Sequence, residues 1–133
     1  MSSADSETLR KEGRRRRGRQ ATARGVTAEQ RAAAALEADG WTVRARRART
    51  AAGEIDIIAE KDGLLSFIEV KARPRLAEAA AALTLRQRAR LLKAAEIVLA
   101  EHPEWGQGGV RFDVMVVDRA GTVRRISDAF REE

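Results

Sequence analysis

The first half of the chain alternates apolar and polar positions in a way that predicts one helix followed by three strands. Residues 27–30, Thr-Ala-Glu-Gln, have the form of a capping box, in which Thr27 and Gln30 satisfy the free backbone donors of a helix start. The alanine-rich stretch that follows predicts a helix over residues 28–39, ended by Gly40. Three strands are then expected, at residues 41–47, 54–60 and 64–71.

The second half predicts one long helix and a hairpin. Residues 85–101 repeat apolar side chains at helical spacing, in a stripe made of Leu85, Ala89, Leu92, Ala95 and Leu99. Strands are expected at 110–118 and 122–126, joined about Ala120-Gly121, while the alanine run at 77–82 suits a short helix or a flap. The predicted order is αβββαββ, which indicates an α/β or α+β domain with a mixed sheet.

Length and charge divide the chain into two parts. A chain of 133 residues with 44% hydrophobic content is expected to fill one modest core. Residues 1–25 hold eight basic and three acidic side chains, leaving eighteen basic and seventeen acidic for the remainder. We therefore expect a disordered basic tail at 1–25, either a solubilising extension or a nonspecific phosphate-binding arm, and a nearly neutral domain at 26–133.

Composition excludes several classes of protein and site. The chain has no apolar run long enough for a spanning helix and no apolar leader, so a cytoplasmic protein without a membrane partner is expected. The absence of cysteine excludes disulfides and thiolate metal sites, and the single histidine, His102, cannot build a multi-histidine site. Any metal would be bound by oxygen ligands, which favours Mg²⁺ or Mn²⁺.

Candidate chemistry is concentrated where charged residues interrupt the second and third predicted strands. Asp56, Glu69 and Lys71 stand among isoleucine, leucine, phenylalanine and valine, and a buried carboxylate needs a compensating partner. A loop at residues 60–63 would place Glu54 opposite Glu69 and Asp56 opposite Phe67. Strand alternation then puts Glu54, Asp56, Glu69 and Lys71 on one face, with Asp56 and Glu69 as diagonal neighbours.

This grouping suits metal-dependent phosphodiester hydrolysis. Asp56 and Glu69 would bind the metal directly, and Val70 can add its backbone carbonyl. Lys71 would position the attacking water or neutralise charge on phosphorus. The alternative is a surface strand pair with an ordinary ion pair between Glu69 and Lys71.

The sequence GEIDIIAEKDGLLSFIEVKAR at 53–73 resembles the signature of the UPF0102 or YraN-like family, which is similar to archaeal Holliday-junction resolvases. The resemblance covers residues 25–117 and includes RFDV at 111–114. It implies a restriction-endonuclease-like fold of the PD-(D/E)xK type and magnesium-dependent nuclease activity. By position, Asp56, Glu69 and Lys71 match the catalytic residues of that superfamily, and Glu29 matches a glutamate that completes the metal site in resolvases. A homodimer is also implied, and Arg47 stands where an asparagine is common.

Five arginines are candidates for binding nucleic acid. Phosphate contacts come mainly from arginine and lysine, and basic residues surround the acidic segment on the predicted strands and the second helix. A solvated edge strand and a solvent-facing helix stripe are the alternatives. The candidates are Arg47, Arg49, Arg73, Arg86 and Arg90.

Three functional hypotheses follow. The first is an endonuclease that cuts DNA, including branched or single-stranded DNA, in repair or recombination. The second is a non-catalytic nucleic-acid-binding module of the same fold, and the third is an assembly protein with a residual acidic pocket. The complete set of Glu29, Asp56, Glu69 and Lys71 favours the enzyme, while the nearly neutral domain favours the others.

Overall fold

A computed structural model describes residues 27–74 and 84–130 of the chain. These residues form two helices and one five-stranded sheet in the predicted order αβββαββ. The predicted basic tail and the alanine run at 77–82 lie outside the described residues. The elements are α1 Ala28–Ala38, β1 Thr42–Thr50, β2 Gly53–Lys61, β3 Leu64–Ala72, α2 Leu85–Glu101, β4 Gly109–Val117 and β5 Val123–Phe130.

The sheet is mixed, and its spatial order is the same as its order in the chain, from β1 to β5. β3 and β4 are parallel, while the other neighbouring strands pair antiparallel. A parallel pair needs a crossover connection, and α2 lies in the chain between these two strands. The α/β prediction is therefore confirmed, with α2 as the crossover helix.

The two helices cover opposite faces of the sheet. Along β3, Leu65 and Phe67 pack in a core cluster with α2, whereas Ile68 packs in a second cluster with α1. This alternation is what strand geometry requires when both faces are covered. The sheet is consequently buried between two apolar layers, so charged side chains along β2 and β3 need specific partners.

Both helices begin at capping boxes. Thr27 and Gln30 exchange side-chain to backbone hydrogen bonds of 2.9 and 3.1 Å at the start of α1, as predicted. Thr84 and Gln87 repeat the arrangement at the start of α2, at 2.8 and 3.1 Å. Each box satisfies two backbone donors that the first helical turn leaves free.

The predicted apolar stripe of α2 was wrong at its first two members. Leu85 is 79% exposed, and Ala89 is exposed as well. The face that packs on the sheet is rotated from the prediction, because it is set by where the helix crosses the strands. Its buried residues are Leu91, Ala94, Ala95 and Val98.

The β2–β3 hairpin has a tighter turn than the sequence analysis assumed. Asp62 and Gly63 form a two-residue loop with φ of 53° and 82°, the left-handed conformation that favours Asp-Gly in such turns. Lys61 therefore pairs with Leu64, and Ile58 pairs with Phe67. The predicted register, with Asp56 opposite Phe67, was wrong by two residues, an even shift that does not by itself move a side chain to the other face.

The last two strands form the predicted hairpin. Gly121 N–H donates to the Asp118 carbonyl at 2.9 Å, and Asp118 N–H donates to the Thr122 carbonyl at 3.0 Å, closing the turn. Within residues 27–74 and 84–130, neither helix has the length and apolar character needed to span a bilayer.

Candidate active site

Asp56 lies where the pairing between β2 and β3 stops. The ladder ends at Ile57 and Ile68, so Asp56 and Glu69 are the next residues along the two strands. The backbone N–H of Val70 donates to Asp56 Oδ2 at 2.8 Å, so the carboxylate takes the place of a backbone acceptor. The tight turn thus brings Asp56 closer to Glu69 along the strands than the predicted diagonal arrangement.

Strand alternation breaks at Asp56. Ile55 packs in the cluster on the α2 side and Ile57 in the cluster on the α1 side, although residues two apart on a regular strand share a face. In the neighbouring β1, Arg47 has a left-handed φ of 54° and lies between the paired residues Arg46 and Ala48. The sheet is irregular at this point on both strands, as is common beside functional sites.

Glu69 is nearly buried and lies next to two cations. Its residue exposure is 8%, and its Oε2 atom is 3.7 Å from Lys71 Nζ and 4.0 Å from Arg90 Nη2. Arg90 also donates from Nη1 to the carbonyl of Glu54 at 3.3 Å, so one guanidinium from α2 links β2 and β3. This contact was not predicted, and the helical position of Arg90 beside an apolar face was its only signal in the sequence.

The site raises the pKa of both central acids. The pKa of Asp56 is raised from 3.8 to about 7, mainly because the carboxylate is buried and next because Glu69 is negatively charged. The hydrogen bond from the Val70 N–H opposes this increase. Burial also raises the pKa of Glu69, while Lys71 and Arg90 oppose it. The charge of Glu54 adds to the increase at both acids. Two acids with raised pKa values at one place are typical of functional sites.

Glu29 reaches the same region from the first turn of α1, but it is held by two arginines. Arg47 Nε donates to Glu29 Oε1 at 2.7 Å, and Arg46 Nε lies 3.6 Å from Glu29 Oε2. The charge of Glu29 contributes to the raised pKa of Asp56, which indicates that the two acids interact. Glu29 therefore lies near Asp56 and Glu69, but its carboxylate is already bound by arginines.

The carboxylate oxygens at this site provide some of the ligands that a hard cation needs. Glu69 Oε1 and Glu29 Oε2 are buried and accept no hydrogen bond from any described residue. Oxygen atoms of this kind are the ligands that Mg²⁺ and Mn²⁺ prefer. Nevertheless, within the described part of the chain no three histidine, aspartate or glutamate side chains are grouped closely enough to hold an ion. Asp56 and Glu69 fit as a two-acid set, with the Val70 carbonyl as a neighbouring oxygen.

The five predicted nucleic-acid contacts are not equivalent. Arg49 and Arg86 are exposed, whereas Arg47 and Arg90 are partly buried and contact Glu29 and Glu69 respectively. Arg73 is partly buried, and its backbone N–H donates to the Val117 carbonyl at 3.1 Å. Arg49 and Arg86 are thus placed to meet a ligand from solvent, and Arg47 and Arg90 support the acids.

A buried polar cluster lies on the α1 side of the sheet. Asp113 is fully buried, accepts from Ser66 Oγ at 2.7 Å, and accepts from Arg111 Nε and Nη2 at 3.0 and 3.1 Å. Arg111 lies over the Trp41 ring, 5.6 Å from its centroid. Sequence reasoning assigned no role to this cluster. Its signal was an aspartate between apolar residues in RFDV at 111–114.

The amino-acid sequence matches a known protein family. Residues 28–117 match the model described as "Uncharacterised protein family UPF0102". The match spans α1, all the acids of the site and β4.

The chain belongs to the UPF0102 family. A UPF0102 protein of Granulibacter bethesdensis is 65% identical over 115 residues, covering 86% of this chain and 73% of its relative. A UPF0102 protein of Azorhizobium caulinodans is 51% identical and covers 90% of this chain and 91% of its own. One of Acidiphilium cryptum is 45% identical, with 94% and 98% covered. The predicted UPF0102 membership is therefore confirmed.

Proposed function

We propose that this UPF0102 protein is a metal-dependent nuclease that hydrolyses phosphodiester bonds of DNA. The observation that carries the proposal is that Asp56 and Glu69 lie next to each other beside Lys71, directly after the last residue pair of the β2–β3 ladder. Burial raises the pKa of both acids, and the negative charge of Glu69 adds to the increase at Asp56, so a bound cation would relieve a cost that the fold imposes. The restriction-endonuclease-like fold is part of this proposal, and the mixed sheet between two helices agrees with it.

Asp56 and Glu69 would hold Mg²⁺ or Mn²⁺, together with the Val70 carbonyl. Such an ion supplies Lewis acidity toward a phosphoryl oxygen and lowers the pKa of bound water. The Val70 N–H orients the Asp56 carboxylate through its 2.8 Å hydrogen bond. Lys71, whose side chain is 12% exposed, would place its ammonium against the negative charge that develops on the phosphate.

DNA would reach the site from the β1 side, where the Arg49 side chain is exposed. Arginines on an edge strand beside an acidic pocket suit phosphates that flank the cleaved bond. Cutting of two symmetric strands would require a homodimer, which we include in the proposal.

A binding module without turnover is the second candidate. It is favoured by the ion pair between Glu29 and Arg47 and by the lack of a three-acid group among the described residues. In this case Asp56 and Glu69 would still bind the ion, and DNA would bind without being cut.

Cleavage of labelled duplex, single-stranded, flap and four-way-junction DNA with Mg²⁺ or Mn²⁺ tests the proposal. The wild-type protein is compared with Asp56→Asn and Lys71→Ala, and the exposed Glu37→Gln serves as a charge-matched control. Cutting that both site variants lose and the control keeps supports the nuclease. Cutting that survives both site substitutions overturns it, and DNA binding without cutting supports the module.

A further inference from the structure

Arg46 and Arg47 converge on one carboxylate, although consecutive residues of a strand normally point to opposite faces. Their Nε atoms lie 3.6 and 2.7 Å from the two oxygens of Glu29. The left-handed φ of 54° at Arg47 departs from extended geometry and so permits this convergence. The backbone conformation is sparsely populated for residues other than glycine, and strain of this kind concentrates at functional sites.

The ion pair is only partly shielded from solvent. The Glu29 and Arg47 side chains are 12% and 19% exposed, whereas Arg44, another arginine on the same strand, binds Glu60. Arg47 lies on β1 beside the irregular part of β2 that holds Asp56. Arg47 thus neutralises Glu29, the glutamate that α1 places near Asp56 and Glu69.

We propose that Arg47 is a positioning residue that withholds Glu29 from the metal site in the free protein and releases it when a DNA phosphate binds the guanidinium. This inference rests on the proposed function and specifies how that site is regulated. A guanidinium binds a phosphate in the same two-pronged way as a carboxylate, so DNA can compete with Glu29 for it. Metal and DNA then bind cooperatively, because each favours the arrangement in which Glu29 is free.

The first test measures Mn²⁺ affinity by calorimetry without DNA. Arg47→Asn removes the cation while keeping a residue that tolerates positive φ, so the fold is expected to persist. Glu29, then held only by the longer 3.6 Å contact to Arg46, should tighten Mn²⁺ binding on the order of tenfold, the size of effect that neighbours of metal ligands exert. Arg47→Lys, which keeps the charge, and Arg44→Gln, which removes a charge elsewhere on β1, should bind as the wild type does.

Glu29→Gln completes a double-mutant cycle. It should change the affinity of the wild type by less than about twofold and abolish the gain seen in Arg47→Asn. If Arg47→Asn binds Mn²⁺ no more tightly, or if Glu29→Gln weakens the wild type as much as it weakens Arg47→Asn, the inference is wrong.

The second test adds a saturating DNA duplex in a Lys71→Ala background, where the proposed mechanism prevents cutting. DNA should tighten Mn²⁺ binding, and Glu29→Gln or Arg47→Asn should each remove most of this coupling. Equal coupling in all three proteins would overturn the release by DNA. Absence of cutting by the wild type, with the cycle behaving as expected, would overturn the nuclease proposal and leave the ion-pair switch in place.

Discussion

The Asp56 carboxylate replaces a backbone acceptor, taking the Val70 N–H at 2.8 Å where the β2–β3 ladder ends. Among the described residues, the Val70 N–H holds this carboxylate in one orientation beside Glu69, and no side-chain cation pairs with it. The hydrogen bond favours the charged form, but burial and the Glu69 charge outweigh it. The site therefore fixes the orientation of the Asp56 carboxylate but disfavours its ionised form.

This balance predicts an inverse dependence of stability on pH in metal-free protein. The pKa of Asp56 is raised from 3.8 to about 7, so the folded state binds more protons than the unfolded state between these values. The unfolding free energy should fall as pH rises through this window. A difference of one pKa unit corresponds to about 1.4 kcal/mol. Ionisation of Asp56 should therefore lower the unfolding free energy by at most about 4 kcal/mol, and the full decrease should be reached above pH 7.

Urea denaturation with a chelator at pH 5 and pH 8 measures the effect. Asp56→Asn cannot ionise and can still accept from Val70, so it should exceed the wild type in stability at pH 8 by about 1–3 kcal/mol. The difference should shrink at pH 5. Glu37→Gln should show no such dependence, and a pH-independent difference for Asp56→Asn would contradict the assignment.

Metal binding should show the opposite dependence on pH. A metal competes with the proton on Asp56, so Mn²⁺ affinity should weaken about tenfold for each pH unit below 7. Thermal unfolding with Mn²⁺ should give a higher Tm at pH 8 and a much smaller increase at pH 5.5. Glu69→Gln and Asp56→Asn should lose this increase. An equal rise in Tm for both variants would place the ion elsewhere.

Gly53 provides a test of the Arg90 contact. It has φ of 132°, and a Cβ there would lie 2.6 Å from Arg90 Nη1 and 3.1 Å from Arg90 Cδ. Gly53→Ala should therefore strain the backbone, destabilise the fold by about 1–3 kcal/mol and displace Arg90 from Glu69. The displacement should raise the pKa of Glu69 further and weaken Mn²⁺ binding at neutral pH.

Gly109 is a matched control for this substitution. Its φ is 128°, but a Cβ there would meet only Leu64 Cδ1, at an ordinary 3.5 Å. Gly109→Ala should cost similar stability in urea denaturation and leave Mn²⁺ affinity unchanged. If both variants weaken Mn²⁺ binding equally, the effect arises from general strain and not from Arg90.

The order of elements could be predicted because local signals determine it. The capping box at Thr27, the Asp62-Gly63 turn and the apolar runs of β2 and β3 each act over a few residues. The face of α2 could not be predicted in the same way. Apolar residues occur on more than one side of this alanine-rich helix, and packing on the sheet selects Leu91 and Val98 over Leu85.

The candidate site was predicted in composition and only partly in geometry. A register error of two residues would by itself preserve the face, but the alternation on which the prediction rested breaks between Ile55 and Ile57, so strand parity does not carry Glu54 and Asp56 to one face. The left-handed Arg47 and its bond to Glu29 depend on how β1 meets α1, a contact between residues 18 positions apart. No short sequence pattern encodes such a contact. Arg47 and Arg90, which were predicted to bind DNA, instead form ion pairs with acids of the site.

The Ser66–Asp113–Arg111 cluster should stabilise the sheet. Arg111 donates from Nε and Nη2 to a fully buried carboxylate, and removing one partner of a buried ion pair typically costs about 3–5 kcal/mol. Asp113→Asn keeps the volume but leaves the Arg111 guanidinium without a charged partner, so urea denaturation should reveal a loss near that range. Ser66→Ala removes only one neutral donor and should cost about 1–2 kcal/mol.

The double variant Asp113→Leu with Arg111→Met separates charge from packing. Replacing both ions by apolar side chains avoids an unpaired buried charge, so it should be more stable than Asp113→Asn alone. Mn²⁺ affinity serves as the internal control, because the Asp113 carboxylate binds Ser66 and Arg111 on the α1 side of the sheet. If Asp113→Asn changes stability by less than about 1 kcal/mol, the buried pair is not a stabilising element of the sheet.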